Sequence, residues 1–385
     1  MKRTKFINNS RIMREIWLQR ETSRVEIARN LGLDKSTISL AVNDLIEKGV
    51  IIETAEGNSG PQGGRKPVII KLNKTYGCVL GVEFRPGSYT AVLVDMEGEV
   101  QSNRVGRFDM HGESLATILV ATLQSLVYEL EASKIHLLGI GVGISGVVNA
   151  QEGIIKYSEP LGITKDFDFH EEVAQQFDIP VFVDNDANAC VWGELAFHRR
   201  KELRDFIFLL LEFRDFDSSK DAVCNRISIG IGLVINGNVH YGHQYSAGEF
   251  RSLFRTRESV GQLSLTEEDH RKVLEDTTVM ERFLRELFAN VGLIVNTLNL
   301  SHIILGGAFE ELGDHTKDIL EEEIIKNWPY PYPYDVKQHI WYSSFGERAV
   351  AYGAAGMVLN TLFGDMEVME GRNHTINLRS NLMVF

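Results

Sequence analysis

Cysteine is scarce in this chain: three residues, Cys78, Cys190 and Cys224, stand far apart, and none forms a CxxC or CxH pair. That spacing argues against a disulfide framework. The apolar surroundings of each point to reduced core thiols, as in a cytoplasmic protein. Long apolar runs are missing as well. No stretch of about 18 apolar residues occurs, so no segment is expected to span a bilayer. The opening MKRTKFINNSRIMREIW is basic but has neither an apolar h-region nor a small-residue cleavage site, so no secretory signal is expected. The remaining composition, 44% hydrophobic and 24% charged over 385 residues, is that of an ordinary globular protein with room for two or three domains.

Charge is unevenly spread. Residues 1–75 carry a balance of +6 and the remaining 310 residues −19, for a total of −13. A basic head on an acidic body points to a polyanion-binding module joined to something that need not bind polyanions. Within the head, Ile12, Ile16 and Trp17 share one helical face of the segment 8–20. Ser23 is placed to cap a second helix through Leu31, with Glu26 completing a capping box. Gly32 makes a turn, and Asp34 caps a third helix on which Ile38, Val42, Leu45 and Ile46 recur at helical spacing. Ile51 and Ile52 open a strand, NSGPQGGRKP (58–67) forms a Gly/Pro-rich hairpin tip, and VIIKL returns. Together these predict a winged helix-turn-helix over residues 1–74. Lys35, Ser36, Thr37 and Ser39 open the third helix away from its apolar side, where short donors can enter a major groove. Arg65 and Lys66 at the wing tip are placed to reach the backbone or the minor groove.

Residues 75–385 alternate strands with helices. TYGCVLGVEFRPGSYTAVLVDMEGEV predicts two strands about a turn at Pro86-Gly87 and a third near Glu99. HLLGIGVGISGVV is a buried strand ending in a Gly-rich loop, and IPVFVDNDANACVWGEL a strand entering a helix. RISIGIGLVINGNVHYG predicts a hairpin at Asn236-Gly237. An amphipathic helix leads into HIILGGAF, and FGERAVAYGAAGMVLNTLF predicts a last helix packed through Gly353, Ala354 and Ala355. This order implies a two-lobed α/β body with a cleft.

VDNDANA, GNVHYGHQYSAGEF, HIILGGAF and the helix-turn-helix with its GGRKP wing resemble the ROK family of repressors, open reading frames and kinases. The resemblance is collinear over nearly the whole chain and is nearest to the repressor branch. It implies an actin-like (ribonuclease H-like) sugar-kinase body over residues 75–385, and Asp186 at the position of the kinase base. Three positions depart from the kinase pattern. Glu83, Phe84, Arg85, Pro86 and Gly87 replace a DxGGTK-like phosphate loop, the bulk of Phe84 and the missing N–H of Pro86 both working against a cradle. Arg226, Ile227 and Ser228 replace Gly-Thr-Gly, behind an acidic stretch with Asp215, Asp217 and Asp221 that would repel ATP. AGE is followed by Phe250, Arg251 and Ser252, without the histidine and cysteines of the family's zinc site. Gly306-Gly307 fits either an adenosine site or strand packing.

Asn185, Asp186 and Glu249 match positions that contact sugar in the family, and Ser145, Gly146 and His243 are further sugar-side candidates. A carboxylate can accept two adjacent hydroxyls, and an amide adds a donor and an acceptor. Asp184 is the expected cap of the helix that follows. Pro160, Leu161, Gly162 and Ile163 stand where the family often has Asn-Leu-Gly-Trp, which removes polar and aromatic groups from the expected mouth. The sequence is thus expected to encode a sugar-responsive transcriptional regulator rather than an enzyme. It would have operator DNA and a sugar effector as partners, a dimer or dimer of dimers as its assembly, and no metal, cofactor or membrane. A bifunctional kinase-regulator and a ligand-free DNA-binding dimer are the alternatives.

Overall fold

A computed structural model of the chain describes residues 2–56, 67–110, 112–198, 203–214, 225–331 and 339–364. Arg65, Lys66, the acids Asp215, Asp217 and Asp221, Cys224 and the tail 373–385 lie outside the described residues. Contacts divide the chain into two compact units, Met1–Asp184 with Ala351–Phe385, and Asn185–Val350.

The first unit opens with α1 (Lys2–Gln19), β1 (Glu21–Ser23), α2 (Arg24–Leu31), α3 (Lys35–Glu47), β2 (Ile51–Glu56) and β3 (Val68–Leu72). Ile12, Ile16 and Trp17 of α1, Ile27 of α2, and Ile38, Ala41, Val42 and Leu45 of α3 form the buried interior of this head. β2 and β3 pair antiparallel with Ile51 opposite Leu72, and β1 adds an edge to β3. That third strand, Glu-Thr-Ser, is too short and polar to announce itself in the sequence. It also alters the expected capping box. Ser23 caps α2 by accepting the Glu26 N–H at 3.3 Å, but the Glu26 carboxylate takes the Ser23 hydroxyl at 2.9 Å rather than a backbone N–H. Ser23 is the last residue of β1 and is paired with Ile69.

The same unit continues with β4 (Cys78–Arg85), β5 (Ser88–Asp95), β6 (Val100–Arg107), α4 (Leu115–Ala132), β7 (Leu137–Ile144), β8 (Val147–Asn149), β9 (Ile154–Tyr157), β10 (Phe167–Asp168), α5 (Phe169–Glu172) and β11 (Val181–Asn185). Five of these strands form a sheet ordered β11-β7-β4-β5-β6, in which β4 runs parallel to β7 and turns into β5 through Pro86-Gly87. Leu80, Val82 and Phe84 alternate onto the face covered by Leu119, Leu123 and Leu126 of α4. By length and composition α4 could cross a bilayer (mean hydropathy 1.3). Its leucines instead belong to the core beneath the sheet.

The second unit contains α6 (Asp186–Gly193) with a π-turn at Glu194–His198, β12 (Phe206–Phe213), β13 (Ile227–Ile235), β14 (Asn238–Val239), α7 (Glu267–Lys272), α8 (Thr277–Leu298), β15 (His302–Gly307), α9 (His315–Lys326) and β16 (Ile340–Tyr342). Its sheet is ordered β14-β13-β12-β15-β16. α8 buries Phe283, Leu287, Phe288 and Val291 in a core with Ile207, Leu209 and Leu211 of β12. A Cβ on Gly306 would strike the Phe208 ring at 2.4 Å, so the glycine pair has a packing role between β12 and β15. α10 (Ala349–Gly364) carries the chain from Val350 back into the first unit at Ala351.

Candidate functional site

The start of α6 is built by backbone capping. Asn185, not Asp184, is the N-cap: its Oδ1 accepts the N–H groups of Ala187 at 2.9 Å and Asn188 at 3.1 Å. This corrects the expectation for Asp184, which is fully buried in β11. Asp186 is the first helical residue and is buried, with Oδ1 accepting the Ala187 N–H at 2.7 Å. Two glycines of β13 let α6 approach: a Cβ at Gly230 would stand 3.0 Å from the Ala187 Cβ, and one at Gly232 would stand 2.7 Å from the Ala187 carbonyl.

Ile231, between these two glycines of β13, abuts the loop that carries the second acid. Gly248 (φ +92°) crosses β13 so closely that a Cβ would meet the Ile231 carbonyl at 1.9 Å. Both that contact and the left-handed backbone demand glycine, and together they place Glu249. Consecutive residues of β13 thus support the first turn of α6 and the loop bearing Glu249. Glu249 is exposed as a residue, yet desolvation by neighbouring protein pushes its carboxyl above the ordinary glutamate range. The loop is tied to α6 where the Trp192 indole donates to the Tyr241 hydroxyl at 3.2 Å, and it folds on itself through the Tyr241 and Tyr245 rings at 5.8 Å. His243 stands exposed on this loop. Trp192 and Tyr241 carry no functional signal in the sequence, because a tryptophan on an apolar helix reads as core.

Ser145 and Gly146 lie in the first unit, between β7 and β8. The Ser145 carbonyl accepts the Ser158 hydroxyl at 2.6 Å, and Gly146 leaves no room for a side chain under the Tyr157 carbonyl. Ser158 and Ile163 pair across the turn Glu159–Gly162. Leu161 and Ile163 are buried with Val148, Ile155 and Phe169, so these substitutions feed an apolar core rather than line a polar mouth.

On the DNA-facing candidate, α3, two expected donors are already committed. The Ser36 hydroxyl donates to Asp34, the Thr37 hydroxyl donates to the same carboxylate at 2.6 Å, and the Thr37 N–H does so at 2.9 Å. These bonds, that of Ser36 foremost, hold the Asp34 carboxyl well below the usual range. Asp34 caps the helix as expected, but the cap occupies the Ser36 and Thr37 hydroxyls. Lys35 and Ser39 remain from the predicted set.

Residues 79–251 match the ROK family model, and residues 7–52 match a winged helix-turn-helix DNA-binding model. The chain carries a ROK family domain behind a winged helix-turn-helix. The xylose repressor of Bacillus subtilis (strain 168) is 26% identical over 246 residues, 64% of this chain and 59% of its own length. The chain therefore spans about three fifths of the length of that curated relative. Among solved structures, a ROK family transcriptional regulator, homolog of the E. coli MLC protein, superposes with a TM-score of 0.70 at 20% identity, covering 95% of this chain and 99% of its own. A ROK family glucokinase from Streptomyces griseus, in complex with glucose and AMPPNP, gives 0.54 at 19% identity, covering 73% and 99%. At these identities the structures establish the fold, that of actin-like sugar kinases.

The phosphate-loop positions of this ROK domain are filled by other structure. Phe84 points into the core beside Tyr89 and Phe108, so its bulk does not crowd the turn as expected from sequence. Glu83 and Arg85 occupy the opposite face and pair at 2.7 Å, leaving an ion pair beside a proline without an N–H. At the second loop position, Ile227 and Ser228 are paired with Phe213 and Glu212 in the β12–β13 ladder, and the Arg214 N–H donates to the Arg226 carbonyl at 2.7 Å. Continuous ladder takes the place of a Gly-rich loop.

The segment after AGE is clasped by polar side chains. The Gln262 amide accepts the Ile229 N–H and donates to the Ile229 carbonyl, both at 3.0 Å, standing in for a neighbouring strand on β13. Glu286 of α8 accepts the Ser264 N–H at 2.8 Å and its hydroxyl. Gln262→Leu strands both backbone groups and is expected to cost about 1–3 kcal/mol in urea unfolding. An unchanged midpoint would show that the clasp contributes nothing.

Proposed function

We propose that this chain is a sugar-responsive repressor of carbohydrate-utilisation genes, whose winged head binds operator DNA and whose ROK domain senses a sugar without phosphorylating it. One observation carries the reading. The helix start that presents Asn185 and Asp186 is intact, while β-ladder and a Glu83–Arg85 pair occupy the phosphate-loop positions. Phosphoryl transfer depends on positioning the phosphates, so a carboxylate without a cradle has little to act on. In this proposal Asp186, Asn185, Glu249 and His243 are the sugar contacts of the second unit, and Ser145 and Gly146 are the sugar candidates of the first. Lys35, Ser39, Arg65 and Lys66 contact DNA, and a homodimer presents two heads to the operator.

Mobility shift of DNA upstream of the chain's own operon, with and without D-xylose and other pentoses and hexoses, tests the reading. Sugar-dependent change in binding is expected. Turnover of ATP with any of these sugars, abolished by Asp186→Asn, would replace the proposal with a bifunctional kinase-regulator. A thermal shift unaffected by the whole panel would favour a DNA-binding dimer without a ligand.

Acidification supplies a separate check. The raised pKa of Glu249 means that its proton returns at higher pH than on an ordinary glutamate. Sugar held by the ionised form is bound above that pKa and released as pH falls through it. Sugar affinity is therefore expected to decline early on acidification, and Glu249→Gln to flatten that decline in calorimetric titrations. An identical profile in the variant removes Glu249 from the sugar site.

A further inference from the structure

On α3, Ile38, Ala41, Val42 and Leu45 face the interior, while Lys35, Ser36, Leu40, Asn43 and Glu47 are exposed. Leu40 sits at the centre of that outer face and is 71% exposed, a large apolar side chain among polar neighbours. Most of those neighbours are committed elsewhere. Ser36 and Thr37 donate to Asp34. Asn43 accepts from Arg24 at 2.9 Å, and Arg24 is held in turn by Glu53 at 2.8 Å. Reading adenine needs both the oxygen and the nitrogen of an amide, and the Asn43 oxygen is taken. Asp44 and Glu47 near the end of α3 would repel phosphates, so its first two turns are the part fit to enter a groove. What those turns offer to base edges is Lys35, Ser39 and the apolar surface of Leu40.

We infer that Leu40 is a specificity-determining residue of the head, seating thymine C5-methyl groups in the major groove, so that α3 selects thymine by apolar contact more than by hydroxyl donors. The inference rests on the DNA-binding reading above. Thymine is the base that presents a methyl group in the major groove, and apolar side chains are its natural contact. Excluding water between that methyl and Leu40 contributes about fourfold in affinity, the worth of one buried methyl.

The test uses full-length protein and duplexes it enriches from a random library, with each thymine replaced in turn by uracil, which removes only the methyl. Fluorescence anisotropy should show at least one thymine per half-site whose replacement weakens the unmodified protein about fourfold. Leu40→Ala should bind the thymine duplex correspondingly more weakly and be indifferent to uracil at that position. Because Leu40 is exposed, its variant should keep the unfolding midpoint of the parent. Uracil tolerated everywhere by the unmodified protein overturns the inference but leaves DNA binding intact. So does the same uracil penalty in Leu40→Ala, since another residue would then read the methyl. Failure to enrich any duplex overturns both the inference and the repressor reading beneath it.

Discussion

Replacing Asp186 by Asn is expected to lower sugar affinity by about ten- to a hundredfold or more while leaving operator binding in place. The magnitude follows from removing charge from one or two hydrogen bonds, each worth about 1.5–3 kcal/mol when a partner is ionised. The fold should tolerate the change. Asp186 Oδ1 accepts the neighbouring Ala187 N–H, and an Asn oxygen can do the same. Losing the negative charge at the helix start costs about 0.3–1 kcal/mol. The variant should therefore be a regulator that holds DNA but ignores sugar, recognisable by a mobility shift insensitive to the effector and a flat thermal-shift response. A full sugar response in Asp186→Asn would remove the carboxylate from the sensing site and with it the main support for the proposed function.

How much of this was legible beforehand depends on what kind of information each feature needs. Helical apolar spacing located α3 and its core face, and Asp34 was recognisable as a cap, because both depend on local sequence. The cap at α6 was not, since Asp184, Asn185 and Asp186 are all good capping residues and only the backbone path decides among them. The size of Phe84 is no guide to the turn, because strand alternation sends it to the core and Glu83 to the opposite face. The commitment of Ser36 and Thr37 to Asp34 lay within four residues and could have been anticipated from the capping pattern itself. Gly230, Gly232 and Gly248 act through contacts distant in sequence, as does the Gln262 clasp. No local signal points to them.

Trp17→Ala is expected to destabilise the first unit by about 3–5 kcal/mol, the usual cost of truncating a large buried aromatic. Trp17 of α1 and Phe363 of α10 are both buried, with ring centroids 5.0 Å apart. α10 is in turn seated directly on the sheet. A Cβ at Gly81 would stand 1.8 Å from the Ala351 carbonyl, and one at Gly141 would stand 2.1 Å from that of Ala354. The head is therefore anchored to a helix that cannot lift without losing its bed. That helix begins at one of the two places where the chain passes between units, the other being Asp184–Asn185, at the cap of α6. A ligand that favours one conformation of the ROK domain can act on DNA only through an element whose position the head feels, and α10 meets that requirement. Trp17→Phe, which keeps a ring against Phe363, should recover most of the stability and the sugar response of DNA binding together. Trp17→Ala should lose sugar regulation beyond any loss of sugar affinity. If Trp17→Ala unfolds at the parental urea midpoint, the contact is not an anchor. If it is destabilised but still regulated normally by sugar, α10 holds the head without carrying the signal.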